Sequence, residues 1–302
     1  MSRREGVLLV GFGGPESLDE VPDFVASVLD RPPPEHVTAG AVERYRAIGG
    51  GSPLPETTRR QGALLHQELA RQGVDVEVYV GMLHADPTIE AAADRIVADG
   101  IEDVTVVSLA PYRCEVSTDA YEEAARKALD GRVDALRFTP DWNMEPAYVS
   151  GLAEMLGEEL DRAPEGTPVI FAAHSLPVRM IEQGDPYVDQ LGATAEAVAG
   201  QLGLADWHLA YQSVSAAARE PWLEPSVDDT MERLAAAGYS AVLVDPIGFA
   251  ADHVETLYDN DVEHRAHAAE LGIGFLRCRC LNEHPGLITA LSDVVLAARR
   301  GD

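Results

Sequence analysis

The sequence predicts an α/β protein with parallel sheets. Short apolar runs rich in Val, Ile and Leu recur along the chain, they are continuous rather than alternating, and longer helical patterns separate them. Continuous apolar runs are typical of strands buried on both faces of a parallel sheet. Regular alternation of strand and helix is typical of an α/β fold.

The apolar runs give the expected order of elements. We expect strands at residues 7–12, 76–81, 104–110, 168–173, 207–212, 241–246 and 272–278. Helical patterns such as "PTIEAAADRIVADG" and "TMERLAAAG" lie between them. Ligands of such folds bind outside the carboxyl ends of the strands, so candidate functional residues are sought there.

An internal repeat predicts two similar Rossmann-like lobes. In the segments that begin at Pro87 and Pro225, an arginine follows eight residues later, a glycine follows thirteen later, and a strand pattern then ends in a proline. We expect lobes at residues 1–140 and 141–302 with a ligand cleft between them, and the last helix is a candidate to pack back on the first lobe. Because Pro commonly begins a helix and Gly commonly ends one, a chance similarity in the positions of these helix boundaries remains the alternative.

Composition excludes several classes of partner. The 302 residues carry 51 acidic and 23 basic side chains, a net charge of −28, which argues against nucleic acid and against an anionic membrane surface. Lys127 is the one lysine. An acidic, arginine-bearing surface suggests a salt-rich cytoplasm, with simple compositional bias as the alternative.

The amino-terminal sequence, the lengths of the apolar segments and the cysteine content predict a cytoplasmic protein. "MSRREG" leads directly into an apolar run too short for a signal peptide, and no segment approaches the roughly 20 apolar residues that span a bilayer. The three cysteines cannot form a disulfide framework and fit a reducing compartment. We expect a monomer, because no amphipathic seam for pairing is evident.

The strongest candidate site combines a histidine with an acidic helix. His174 follows the strand at 168–173, although a single histidine more often caps a loop. Glu255, Asp259 and Glu263 stand four apart, which on a helix gives one row of carboxylates. Imidazole and carboxylate are both metal ligands and bases near neutral pH. For Asp259 and Glu263 taken singly, a solvated helix face is the favoured alternative.

Two glycine-rich loops are candidates for ligand contact. "GFGGPES" lacks the nucleotide-binding patterns, so we interpret it as a tight turn that lets a flat ligand approach the backbone beside Phe12. "ERYRAIGGGSPL" holds Arg44, Arg46 and Ser52, and its arginines suggest clamps for ligand carboxylates. Surface ion pairs with Glu43 or Glu56 are the alternative.

Cys278 and Cys280, with His284 nearby, form a weak metal motif. Alternating residues of a strand would send both thiols to one face in any case. Three cysteines fall one short of the usual four ligands of an iron–sulfur cluster.

Taken together, these motifs resemble those of the ferrochelatases over nearly the whole chain. The matching segments are "LLVGFGGPES", "ERYRAIGGGSPL", "LAPY" followed by "STDAY", "AAHSLPVRMIEQGDPYVDQL", "YQS" with "EPWLEPSVDD", and "PIGFAADHVETLYDND". The resemblance implies a chelatase-type fold and insertion of Fe(II), the metal substrate, into a free-base porphyrin with release of two protons, in haem biosynthesis.

The resemblance also assigns roles to residues. His174 and Glu255 match the family's active-site His and Glu, and we assign them jointly as metal ligand and proton acceptor. Asp259 and Glu263 correspond to an outer acidic row that attracts the metal. Five further positions match the porphyrin pocket: Phe12, Arg44, Ser52, His84 and Tyr121. Phe12 replaces a tyrosine found in some bacterial members, so a tyrosinate ligand is not expected.

The short, monofunctional build resembles the coproporphyrin III ferrochelatases. Arg31, Arg44 and Arg46 are then candidates to meet the substrate's four propionates. Alternatives, in order, are a protoporphyrin IX ferrochelatase, a cobalt or nickel chelatase of a sirohydrochlorin-like ring, and a porphyrin carrier without catalysis. A downstream haem enzyme is a candidate partner.

Some family members hold a [2Fe-2S] cluster near the position that Cys278 and Cys280 occupy in this chain. Cys278 and Cys280 resemble part of its ligand set, with Cys114 loosely placed. Pro285 stands where a further cysteine is expected, and His284 is a speculative substitute. The resemblance thus makes the cluster a candidate cofactor only.

Overall fold

A computed structural model describes residues 3–214 and 219–301, and its elements alternate as an α/β fold requires. The strands are β1 Glu5–Gly11, β2 Glu77–Met82, β3 Asp103–Ser108, β4 Ala135–Phe138, β5 Val169–His174, β6 Trp207–Gln212, β7 Ala241–Asp245 and β8 Gly274–Arg277. The α-helices are α1 Val21–Leu29, α2 Glu35–Ala47, α3 Leu54–Arg71, α4 Ile89–Ala98, α5 Ala120–Leu129, α6 Pro146–Leu160, α7 Val178–Glu182, α8 Tyr187–Leu202, α9 Val227–Ala236, α10 Val254–Tyr258, α11 Arg265–Glu270 and α12 Pro285–Arg300. A 3₁₀ segment covers Leu18–Glu20, and π-helices cover Glu115–Asp119 and Asp259–His264.

The first compact unit comprises the described residues up to Trp142 together with those from Asn282. Its parallel sheet has the order β2-β1-β3-β4. The central strand β1 is fully buried from Val7 to Val10, as its continuous apolar run predicts. Helix α12 packs on α3, β3 and β4 and therefore belongs to this unit.

The second unit runs from Asn143 to Leu281. Its parallel sheet has the order β6-β5-β7-β8. This is the strand order of the first sheet, with β5 to β8 in the places of β1 to β4. Strand β5 is central and buried from Val169 to Ala173. The α/β class with two similar parallel-sheet lobes is thus confirmed.

The internal repeat appears as matching local structure. Pro87 and Pro225 both follow cis peptide bonds, and each precedes a helix capped by a hydroxyl, from Thr88 for α4 and from Ser226 for α9. The sequence β2–α4–β3 in the first unit therefore corresponds to β6–α9–β7 in the second. A capping hydroxyl satisfies a backbone N–H that the first turn leaves unpaired.

Strand β4 was not predicted. It has only four residues, all half-buried, and lies at the edge of its sheet. Its sequence is short and Arg137 interrupts it, so it lacks the continuous apolar run that marked the other strands, including the edge strands β2, β6 and β8. None of the described helices is long and apolar enough to cross a bilayer.

Candidate active site

His174 is the last residue of β5, the central strand of the second sheet. The apolar residues before it hold the strand in the core, so the imidazole emerges at the carboxyl edge. Its Nδ1 lies 2.5 Å from the carbonyl oxygen of Ser175. Because a carbonyl only accepts hydrogen bonds, Nδ1 carries a proton and Nε2 is the nitrogen available to other chemistry.

Glu255 lies in the first turn of α10 and faces that nitrogen. His174 Nε2 is 3.5 Å from Glu255 Oε1, and the two side chains are 31% and 29% exposed. The structure therefore brings together the two residues that the sequence proposed as a pair, and leaves both accessible to small ions.

The turn before α10 explains the segment "PIGF". Gly248 N–H donates to Ala172 O at 3.1 Å, and a Cβ on Gly248 would lie 2.7 Å from Ala173 Cβ. Real Cβ atoms do not approach so closely, so a side chain there would force the backbones apart. Glycine thus lets the chain pass directly over the end of β5, beside His174.

A second histidine, which sequence reasoning missed, also meets Glu255. His253 Nε2 lies 3.4 Å from Glu255 Oε2, while its Nδ1 is 3.1 Å from Ala251 O. Its ring packs on Phe249 with centroids 4.9 Å apart. The available signal was its place two residues before Glu255 in the same motif. The Glu255 carboxylate therefore lies between two imidazoles.

Opposing effects shift the pKa values of this pair. Burial lowers the pKa of His174, but the charge and hydrogen bond of Glu255 outweigh it and raise that pKa to about 9. Burial raises the pKa of Glu255, yet His174 and His253 hold it well below its ordinary value. At neutral pH the pair is an imidazolium facing a carboxylate.

Asp259 and Glu263 lie in the π-helix that continues α10. Asp259 is 3% exposed and accepts a hydrogen bond from Ser213 Oγ, and its charge also raises the pKa of His174. Glu263 is exposed. The middle carboxylate of the row is thus the most buried of the three, and single-turn π-helical segments frequently mark functional sites.

Gln212 ties the acidic helix to the sheet. It ends β6 in register with His174 and is buried. Its Nε2 donates to Glu255 O at 2.6 Å, and its Oε1 accepts from Asn260 Nδ2 at 3.2 Å. Sequence reasoning used Gln212 only as part of a motif, because nothing in the sequence shows which carbonyl an amide will meet.

In the first unit, Phe12 and His84 lie together at the carboxyl edge. Their ring centroids are 4.8 Å apart, and His84 N–H donates to Phe12 O at 2.9 Å. His84 Nδ1 is 2.9 Å from Ser27 Oγ, and burial lowers the pKa of His84. Phe24 packs edge-on against both rings.

The two glycine-rich loops interlock. Ser52 N–H donates to Pro15 O at 2.7 Å, and a Cβ on Gly51 would lie 2.3 Å from Glu16 O. Ser52 is buried, and its Oγ accepts from Leu54 N–H at 3.2 Å. These glycines thus serve close packing of backbone on backbone.

The remaining first-unit candidates occupy different environments. Arg31 is exposed, and Arg44 is half-buried on α2. Arg46 forms an ion pair with Glu43, which is the surface ion pair that was the alternative to ligand binding. Tyr121 is buried in the core cluster around Leu8 and Val106. Their roles in porphyrin binding stay predictions.

The donor set does not fit an iron–sulfur cluster. Cys278 and Cys280 are buried, and burial raises the pKa of both thiols. His284 Nδ1 accepts from Gly286 N–H as a helix cap, and Cys114 is buried in the first unit. Within residues 3–214 and 219–301, no group of three or more His, Cys, Asp or Glu side chains is arranged to hold a metal ion. Metal ligation by His174, Glu255, Asp259 and Glu263 therefore stays a prediction.

Comparison with known families decides the classification. A family model described as Ferrochelatase matches residues 4–299. The chain belongs to the ferrochelatase family. The resemblance drawn from the motifs is thus confirmed, and membership places the protein in haem biosynthesis, where the family inserts metal into porphyrins.

Curated relatives match over nearly their whole length. A ferrochelatase from Deinococcus radiodurans is 38% identical over 300 residues, covering 96% of this chain and 94% of the relative. A coproporphyrin III ferrochelatase from Geobacillus kaustophilus is 35% identical, covering 100% and 99%.

Solved structures confirm the fold alone. SirB from Bacillus subtilis with Fe³⁺ has a TM-score of 0.64 at 13% identity, covering 99% of this chain and 98% of that chain. SirB from Bacillus subtilis subspecies spizizenii in complex with cobalt has a TM-score of 0.60 at 12% identity, with coverage of 99% and 96%.

Proposed function

We propose that the protein inserts Fe(II) into coproporphyrin III to give coproheme, releasing two protons. The observation that carries this proposal is the His174–Glu255 pair, 3.5 Å apart at the edge of the second sheet. A free-base porphyrin holds two pyrrole N–H groups at its centre, so bases must remove two protons as the metal enters. The Glu255 carboxylate is one acceptor, and the His174 Nε2 becomes a second, adjacent one once the imidazolium has lost its proton.

The surroundings of the pair suit proton and cation handling. The Ser175 carbonyl holds the proton on Nδ1 of His174, so Nε2 is the nitrogen that loses its proton when the imidazolium is neutralised, and His253 stabilises charge on Glu255. A nearby dication would favour loss of the proton from the imidazolium, since positive charge lowers the pKa of neighbouring groups. We assign His174 and Glu255 jointly as metal ligand and proton acceptor.

The acidic row supports delivery of the metal. Glu263 is exposed, Asp259 is buried, and the charge of Asp259 acts on His174. Carboxylates attract a hydrated dication from solvent and can exchange for its water ligands.

The choice of coproporphyrin rests on two supports. Several curated relatives, including that from Geobacillus kaustophilus, are coproporphyrin III ferrochelatases, while others are ferrochelatases without that qualification. Arg31 and Arg44 are candidates to bind the propionates, since guanidinium binds carboxylates in bidentate geometry, and Arg46 would join them by exchanging Glu43 for a propionate. We also propose a monomeric cytoplasmic protein that passes its product to a downstream haem enzyme.

The test is anaerobic insertion of Fe(II), followed by visible spectra, into coproporphyrin III and protoporphyrin IX separately, beside His174→Ala. Much faster insertion into coproporphyrin, lost in the variant with porphyrin binding retained, supports the proposal. Equal or reversed preference assigns a protoporphyrin substrate. Insertion of cobalt or nickel only into a sirohydrochlorin-like ring, or binding without turnover that His174→Ala weakens, overturns it.

A further inference from the structure

The segment 252–261, which comprises α10, the two residues before it and the start of the π-helix that follows, carries a concentration of negative charge that something must balance. Asp252, Glu255, Asp259 and Asp261 lie within ten residues. Like charges so close on a helix are destabilising, and a buried carboxylate without a partner is more so. Two imidazoles meet Glu255, as described above.

Arg277, the last residue of β8, meets the two ends of this segment. Its Nη1 donates to Asp252 Oδ1 at 2.9 Å. Its Nε and Nη2 donate to the two carboxylate oxygens of Asp261, each at 2.9 Å. Nη1 also donates to Cys278 O at 3.2 Å. The bidentate pair with Asp261 uses the fork geometry that distinguishes guanidinium from ammonium.

Burial makes this arrangement stiff. The Arg277 side chain is 9% exposed and that of Asp252 is 12% exposed. Asp252 Oδ1 also accepts from Thr256 Oγ1 at 3.3 Å, inside the first turn of α10. Breaking the Asp252 pair would leave a buried carboxylate uncompensated, which is strongly unfavourable, and breaking the Asp261 pair would remove two hydrogen bonds from a buried guanidinium. The segment therefore cannot rotate or slide without breaking its hydrogen bonds to Arg277.

The two anchors flank the residues that face His174. Asp252 lies three residues before Glu255, and Asp261 lies two residues after Asp259. Gln212 holds the middle of the segment through Glu255 O. One planar group at the end of β8 thus fixes both ends of the span whose carboxylates form the candidate site.

We propose that Arg277 is a positioning residue for metal insertion, and that it sets the placement of Glu255 and Asp259 by clamping Asp252 and Asp261. The inference rests on the proposed function. It assigns Arg277 no contact with substrate, since it acts through its two aspartates. Its fork shape, as well as its charge, is essential.

The deciding variant is Arg277→Lys, which keeps the charge and removes the fork. The matched control is Arg265→Lys. Arg265 also donates to Asp261 Oδ1, at 3.3 Å, and lies over the Phe275 ring of the same strand, but its side chain is 51% exposed. The control thus disturbs the same aspartate without a buried two-ended clamp.

Three readouts separate positioning from general stability: kcat and KM for Fe(II), the Kd of coproporphyrin III by fluorescence, and amide hydrogen exchange within 252–261. In Arg277→Lys we expect kcat to fall roughly ten- to a hundredfold, the scale of effect of displacing reacting groups by about 1 Å. We expect faster exchange in 252–261 and a porphyrin Kd within about twofold of wild type. Arg265→Lys should resemble wild type in all three.

A folded Arg277→Lys protein with wild-type kcat and exchange overturns the proposal, and so does an equal loss in Arg265→Lys. If Arg277→Lys does not fold, Asp261→Asn takes its place, with the same expected changes in kcat and hydrogen exchange. The Asp261 side chain is 33% exposed, and its loss leaves the Arg277–Asp252 pair intact, so this variant should fold. If wild type inserts no metal, the proposed function fails, and hydrogen exchange alone still decides whether the clamp exists.

Discussion

His174 Nε2 and Glu255 Oε1 lie 3.5 Å apart, although 81 residues of chain separate them. Three features hold the two side chains in place. The end of β5 positions His174, the Gly248 turn brings the following chain over that strand end, and the Gln212 hydrogen bond fixes the backbone of Glu255. Each can be tested separately, and the consequences for proton binding can be measured directly.

The pair should give His174 an unusually high pKa. In an NMR titration of the imidazole, wild type should titrate near pH 9, and Glu255→Gln should bring the pKa down, because the opposing carboxylate charge is lost while burial remains. His253→Gln serves as a control that keeps the carboxylate. A His174 pKa unchanged in Glu255→Gln would contradict the described pairing.

Stability should follow the same pair. Since the folded-state pKa of His174 exceeds its ordinary 6.5, its contribution is complete below about pH 6.5 and is lost as pH rises through about 9. For Glu255, whose pKa is lowered, the contribution is present above about pH 4.5 and is lost as pH falls through its folded-state value. The free energy of unfolding of wild type minus that of Glu255→Gln should therefore decrease between pH 6.5 and 9 in denaturant titrations.

Gly248→Ala should destabilise the second unit and reduce activity. Its Cβ would lie 2.7 Å from Ala173 Cβ, and overpacking of this kind costs about 1–3 kcal/mol. Gly192→Ala in α8 is the matched control: nothing lies within 4 Å of its Cβ, so a gain of about 0.5–1 kcal/mol is expected. Equal melting temperatures for the two variants would argue against close packing at Gly248.

Gln212→Leu should lower kcat while leaving porphyrin binding largely intact. The change leaves Glu255 O without its 2.6 Å donor and Asn260 Nδ2 without its acceptor, at a cost of about 1–3 kcal/mol for each buried group left unpaired. Single-turnover insertion and fluorescence binding measure the two effects. Gln212→Glu, which retains an acceptor for Asn260 but no donor for Glu255 O, should not restore kcat.

The acidic surface should make stability depend on salt. A net charge of −28 destabilises the compact state by self-repulsion, and the screening length falls from about 10 Å at 0.1 M salt to about 3 Å at 1 M. Thermal unfolding in KCl from dilute buffer to molar concentrations should show a rising melting temperature. A melting temperature independent of salt would favour compositional bias over adaptation to a salt-rich cytoplasm.

The sequence by itself determined the α/β class, the repeat and the identity of the His–Glu pair. Continuous apolar runs are typical of strands in a parallel sheet, and parallel strands place their final residues at one edge, so His174 and the helix after β7 were expected at the same edge. The motifs were long enough to identify the family. Strand β4 was missed because it has only four residues and Arg137 interrupts its apolar sequence.

Only the tertiary structure decided how the acidic segment is balanced. The sequence shows Asp252 and Asp261 as two more acids, and Arg277 as one basic residue beside two cysteines. In the fold they form a buried clamp, while His253 and Gln212 secure Glu255 from two other sides. The physical reason is that ion pairs and side-chain hydrogen bonds join residues distant in sequence, and their geometry exists only once the strands that carry them have assembled into the sheet.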